Sequence, residues 1–191
     1  MSKIFLCAAL ALMPSLGQAA PYLITPAASR IDFRYQQMGV AMQGSFRHFT
    51  GTLNLDAAQP QKSSVSLSVQ TGSISLGSPD ADQTAAGAEF FNIKTFPAAR
   101  FQSSQVQSLG AGRYRITGTF SLKNISRPLT VDATLQVQGA SQLLTGTFSL
   151  KRLDYGIGTG EWADTGTLGN DVQVNFALRL LPAAPPPSRP H

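Results

Sequence analysis

The chain has 191 residues, 42% hydrophobic and only 13% charged, with a net charge of +5. That is enough for one domain with a real core and too short for two comfortable ones. Its basic residues are scattered singly, without the blocks and interleaved aromatics of a nucleic-acid surface, so no nucleic-acid partner is expected.

The first segment reads as an address. Lys3, the apolar run from Ile4 to Leu12, and small residues Gly17 and Ala19 predict a cleaved export signal over 1–19, too short to span a bilayer. The one cysteine, Cys7, falls inside it. The exported remainder therefore has no thiol chemistry and no disulfide, and must rest on burial and hydrogen bonding. No later apolar stretch approaches about 18 residues, so no membrane-spanning helix is expected. The folded domain is expected over 20–181, in the exported chain. The Pro-rich end predicts a disordered tail over 182–191.

Between these limits a period of two dominates, the mark of strands with one apolar and one polar face. Ile31, Phe33 and Tyr35 share a face. Ala41 to Asp56, which contains Phe46, reads as a strand pair or one long bent strand. Val65, Leu67 and Val69 follow. A short helix is predicted near 84–91, capped by Asp82 or Thr84 and weakened by Gly87; Phe91 closes it. From Phe101 to Val106 the parity slips, which predicts a bulge. Tyr114, Ile116, Phe120 and Leu122 mark the next strand, then Leu129, Val131, Ala133, Leu135 and Val137. Leu144, Phe148 and Leu150 mark another, and Val172, Val174, Phe176, Leu178 and Leu180 the last. Eight or nine strands and one short helix make an antiparallel β architecture.

One heptapeptide recurs. "TGTFSLK" stands at 117–123 and 145–151, and "TGTLNLD" at 50–56. The intervals are unequal, which argues against a solenoid or propeller. The shared glycines, Gly51, Gly118 and Gly146, suit a curled sheet in which a neighbour must come close. A closed eight-stranded barrel meets this demand, and it is just wide enough to be filled by side chains or to hold one slim ligand.

The chemistry of catalysis is poorly supplied. His48 and His191 are the only histidines, so no triad or metal cluster is expected and the protein is read as non-enzymatic. Asp80, Asp82, Glu161, Asp164 and Asp171 lack the spacing of a calcium loop. Arg152 and Asp154, two apart, read as one strand face; they pair with each other or fix the turn at Gly156 and Gly158. Trp162 reads as a lid or mouth residue. The inward phenylalanines serve equally as plain core or as the lining of a cavity, and parity alone does not choose.

Several stretches together resemble the YceI-like family of bacterial periplasmic polyisoprenoid-binding proteins. They are "ASRIDFRY…GSFRHFTGTLNLD", "AEFFNIKTFPAARFQSSQV", "YRITGTFSLKNISRPLTVDATL" and "FSLKRLDYGIG". The resemblance implies an elongated lipocalin-like barrel holding a long isoprenoid or quinone-like lipid, with no other cofactor. It makes Phe33, Tyr35, Phe46, Phe91, Phe101, Tyr114, Phe120, Val131, Phe148, Trp162 and Phe176 the expected lipid-binding lining. The family's Arg-Asp-x-His-Leu-like run before the paired Phe is absent here, so head-group contacts at the mouth are expected to differ. Transient membrane contact and a homodimer are left open, as is a filled barrel acting as an interaction module.

Overall fold

A computed structural model describes residues 20–56 and 58–183. The expected export signal and residues 184–191 of the Pro-rich tail lie outside the described residues. In chain order the strands are β1 (Ala20–Ile24), β2 (Arg30–Gln37), β3 (Val40–Phe46), β4 (Phe49–Leu55), β5 (Ser64–Gln70) and β6 (Ile74–Ser75). After the helix α1 (Pro79–Ala86) come β7 (Ala98–Gly110), β8 (Arg113–Leu122), β9 (Ile125–Gln138), β10 (Ser141–Lys151) and β11 (Asp171–Pro182).

Strands β1, β4, β5, β7, β8, β9, β10 and β11 pair in that order, and β11 pairs back to β1, closing an eight-stranded barrel. Closure leaves no free edge in the ring. The last strand does double duty. Its C-terminal part, Leu180 to Pro182, pairs with β1; its earlier part, Gln173 to Ala177, pairs with β2. The β2–β3 hairpin thus takes over the wall toward one end of the barrel. Only Arg47 and His48 separate β3 from β4, so these two are one long bent strand. Pairing at β11 extends through Pro182, and Ala183 N–H donates to Pro21 O at 2.8 Å.

The alternation seen in the sequence becomes the inside of the barrel. Ile31, Phe49, Leu53, Val106, Ile116, Leu144 and Leu180 are buried in one continuous cluster. Polar partners of the same strands stay outside, where Arg115 and Asp132, opposite each other on β8 and β9, form a bidentate pair at 2.7 and 2.8 Å. The parity slip in β7 is a shift of register between Ser103 and Gln105. Pro128 sits inside β9, where only β8 pairs; β10 joins β9 from Ala133 onward. A residue without an N–H is tolerated because no ladder bond is required on that side.

The recurring glycine marks a close approach inside the barrel. A Cβ on Gly146 would stand 2.5 Å from the Phe176 ring; one on Gly118 would meet the Phe101 ring and the Gln102 carbonyl. Each glycine lets a neighbouring strand's side chain lie flat across the backbone, which lets the sheet curl tightly.

Three expectations are corrected. The described chain has eleven strands rather than eight or nine, since β1 and the two-residue β6 are too short to show a period. The helix runs Pro79–Ala86 rather than 84–91. Ser78 caps it, accepting from Ala81 N–H at 3.3 Å, and Pro79 fills the first turn; a Ser–Pro start needs no help from Asp82 or Thr84. Asp82 instead accepts from Leu76 N–H at 2.6 Å. Arg152 and Asp154 are not on a strand, because Arg152–Tyr155 is a 3-10 turn. Asp154 turns to Arg127, at 3.9 Å, and not to Arg152.

Candidate binding cavity

The barrel is not filled. A cavity of about 420 Å³ occupies the end walled by β2 and β3. A smaller one of about 70 Å³ lies toward the β1 end. Leu67, Phe120, Phe148 and Phe176 border both and form the partition between them. Phe120 and Phe148 stand with ring centroids 6.4 Å apart. The large cavity is lined almost wholly by apolar side chains. The exposed Asp80 and Thr84 of α1, with half-buried Gln37 and Trp162, mark its mouth.

Most of the expected lining converges. Phe33, Tyr35, Phe46, Phe91, Phe120, Phe148, Trp162 and Phe176 line the large cavity. Phe101 and Val131 line the small one. Tyr114 borders neither; it packs in the core toward the far end of β8, opposite Ala133. Period two fixes which face a residue takes but not how far along the barrel axis it lies, and Tyr114 is the residue for which that matters.

Contributors outside the expected set include strand residues of the same inward parity, among them Ile31, Leu67, Val69, Leu150 and Val174, and others from short or irregular segments. Ile74 on β6 and Leu76 after it line the cavity beneath Phe33 and Phe46. Phe90, beside Phe91, meets Trp162 at 5.5 Å. Leu168 arrives from the loop before β11. The adjacent aromatic pair was a usable signal for Phe90. Ile74, Leu76 and Leu168 carry no periodicity that would single them out.

Above the cavity the loops are fastened by main-chain carbonyls. Glu89 O accepts from Gly158 N–H at 2.7 Å and Thr159 N–H at 3.0 Å, joining the segment after α1 to the segment after β10. Lys123 Nζ reaches Gly156 O at 2.6 Å across the same junction, and its burial pulls its pKa down. Arg152 is the centre of this cap. It is 3% exposed, and its five N–H groups are spent on carbonyls: Gly169 at 3.0 Å, Ile157 at 2.9 Å, Gly158 at 2.7 Å, Trp162 at 2.7 Å and Leu168 at 2.6 Å. Burial lowers its pKa from the ordinary value. A guanidinium satisfied by neutral dipoles leaves a positive charge at the cavity wall with no donor free to bind a ligand.

Tyr35 is the polar group set deepest along β2, and burial holds its phenol above the usual pKa, so it stays neutral. His48 lies in the bend between β3 and β4 and does not border the cavity. It is exposed, and its main chain bonds Ser73 Oγ and Gln70. Among the described residues, no group of three His, Cys, Asp or Glu side chains converges as a metal site. No described helix is long and apolar enough to cross a membrane.

Comparison with known proteins gives this geometry a family. A family model described as the YceI-like domain matches residues 22–180. A UPF0312 protein of Azotobacter vinelandii is 32% identical over 185 residues, covering 90% of this chain and 94% of the relative. One from Serratia proteamaculans is 31% identical over 157 residues, covering 78% of each. The crystal structure of BcnA from Burkholderia cenocepacia is similar at 31% identity and a TM-score of 0.79, covering 82% of this chain and 98% of that one. A polyisoprenoid binding domain from Saccharophagus degradans shares the fold at 16% identity, with a TM-score of 0.68 over 87% of this chain and 99% of that one. The barrel, its cavity and the match over nearly the whole described chain lead to one conclusion: this protein belongs to the YceI-like family.

Proposed function

We propose that this protein is a non-enzymatic binding protein that encloses a long-chain isoprenoid or quinone-like lipid in its barrel and carries it through the periplasm. The observation that supports the reading is the apolar cavity of about 420 Å³. Its size falls in the range of small-molecule sites, roughly 300–1,000 Å³. An apolar chain gains about 25 cal/mol for each Å² it removes from water, so it binds tightly with few polar contacts. Two polar residues of β2 line the cavity, Tyr35 deeper and Gln37 at the mouth, and would face a head group such as a quinone carbonyl. Arg152 would shape the mouth without touching that head group, since its donors are engaged. The binding named for the Saccharophagus degradans domain is of the same chemical class. Export rests on the expected signal over 1–19.

The test is native mass spectrometry of the full chain expressed in a bacterial periplasm and purified without detergent, before and after organic extraction. We expect the mass of a chain beginning at Ala20 plus a discrete extra mass that extracts as an isoprenoid. A bare polypeptide that also fails to take up added ubiquinone would refute lipid carriage. A mass that retains residues 1–19 would refute the export reading.

A further inference from the structure

We propose that the tip of the β2–β3 hairpin, Met38–Gly39–Val40, is the surface by which the protein docks on an electrically neutral lipid–water interface, beside the mouth of its cavity. The inference rests on the lipid-binding reading for its purpose, but not for its test.

Met38 is 76% exposed and Val40 60%, at the outermost point of the hairpin. Exposed apolar residues scattered singly need no explanation. These two carry a further cost. Met38 and Gly39 form a two-residue turn with φ of 50° and 77°. Such a turn favours Asn-Gly or Asp-Gly, because both central residues are left-handed. Asn at 38 would suit the turn better and would also face water more favourably. Met is a poor choice for both, so the turn carries an apolar side chain outward at some expense to the fold.

The surroundings point to a neutral apolar partner. From Tyr35 to Phe46 no residue is charged, although hairpins with an open edge commonly carry charge there. Inserting the tip into lipid therefore desolvates no ion. The turn's first donor is also already paired, as Met38 N–H bonds Thr167 O at 2.8 Å. That bond, with the Gln37–Leu168 bridge, fixes the tip to the loop that closes the cavity. Gln37 lines the cavity and Met38 follows it, so a membrane contact at the tip places the mouth at the interface. The rim carries exposed Asp80, Glu161 and Asp164, which disfavour an anionic surface.

The experiment is flotation of the full exported chain with cargo-free phosphatidylcholine vesicles, comparing wild type with the double variant Met38→Asn, Val40→Thr. Partition into vesicles is expected to fall by about tenfold or more, the scale of losing two partly inserted apolar side chains. Thermal stability is expected to hold or rise, and uptake of ubiquinone added in ethanol to be unchanged. The difference between the two proteins is expected to persist when a third of the lipid is replaced with phosphatidylglycerol. Equal flotation of the two proteins would overturn the proposal. So would wild type that ignores vesicles but forms a dimer that the variant abolishes, since the hairpin edge would then join copies of the chain. Because the vesicles carry no quinone, hairpin-dependent flotation without quinone uptake would sink the carrier reading alone.

Discussion

Arg152 shows how one residue type can order a whole loop. Its five donors meet five carbonyls contributed between Ile157 and Gly169, and no carboxylate is involved. Met at this position would keep much of the volume and leave those carbonyls without donors. A buried acceptor left unpaired costs about 1–3 kcal/mol. Part of the loop can relax toward water, so Arg152→Met should lose roughly 3 kcal/mol, read as a lower urea midpoint at unchanged slope. Arg152→Lys, with three donors for five carbonyls, should fall between. A midpoint equal to wild type in both would show that the guanidinium does not hold the cap. The Arg152–Gly156–Gly158 spacing was legible as a turn device, but the alternative partner, Asp154, was equally plausible from spacing. Only the 3-10 turn, which sends the two side chains apart, decides between them.

At the scale of elements, the strands were legible and the cap was not. Period two identifies β2, β5 and β8 to β11 because each has one dry and one wet face, and the physics of a sheet writes that pattern directly. The five-residue β1 and two-residue β6 are too short to show it. The helix was displaced because Ser78-Pro79 outweighs the later polar residues as a start. The segment from Gly156 to Asn170 offers no period at all, and its order comes from hydrogen bonds such as those of Asp164. That carboxylate accepts from Gly166 N–H at 3.0 Å and from Thr167 N–H and Oγ at 3.2 and 2.9 Å. These bonds, the Gly166 N–H first, hold its pKa below the ordinary value. A depressed folded pKa means the contribution is complete above the unfolded value, about 3.9, and is lost as pH falls through the lower folded one. Trp162 is the only tryptophan and lies two residues away. Its emission should therefore hold steady from neutral pH down to about 4 and change below it. Asp164→Asn should shift the emission already at neutral pH and flatten the acid step. An identical profile in both proteins would separate Asp164 from the order of the loop.

At the scale of the whole molecule, the partition across the barrel sets the reach of a ligand. An elongated barrel of this kind is long enough to enclose an extended chain molecule along its axis. Here Leu67, Phe120, Phe148 and Phe176 divide it into chambers of about 420 and 70 Å³. Sequence could not reveal this, because a Phe in a wall and a Phe across a bore have the same parity. Gly146 fixes where the Phe176 ring of this divide can sit, since a Cβ there would strike it. The divide is consequential under the proposed reading. Affinity for an isoprenoid series should rise with each added unit while the chain still fills the large chamber, then level off at the partition. Phe148→Ala should join the chambers and move that plateau to longer chains, because the added units then continue to leave water. Removing a core Phe costs about 3–5 kcal/mol, so Phe148→Leu serves as the milder companion and should move the plateau less. Displacement of a fluorescent lipid by isoprenoid alcohols of increasing length reads the plateau directly. Coincident length profiles for wild type and both variants would mean that the rings swing aside for any ligand, and that chain length is selected at the mouth.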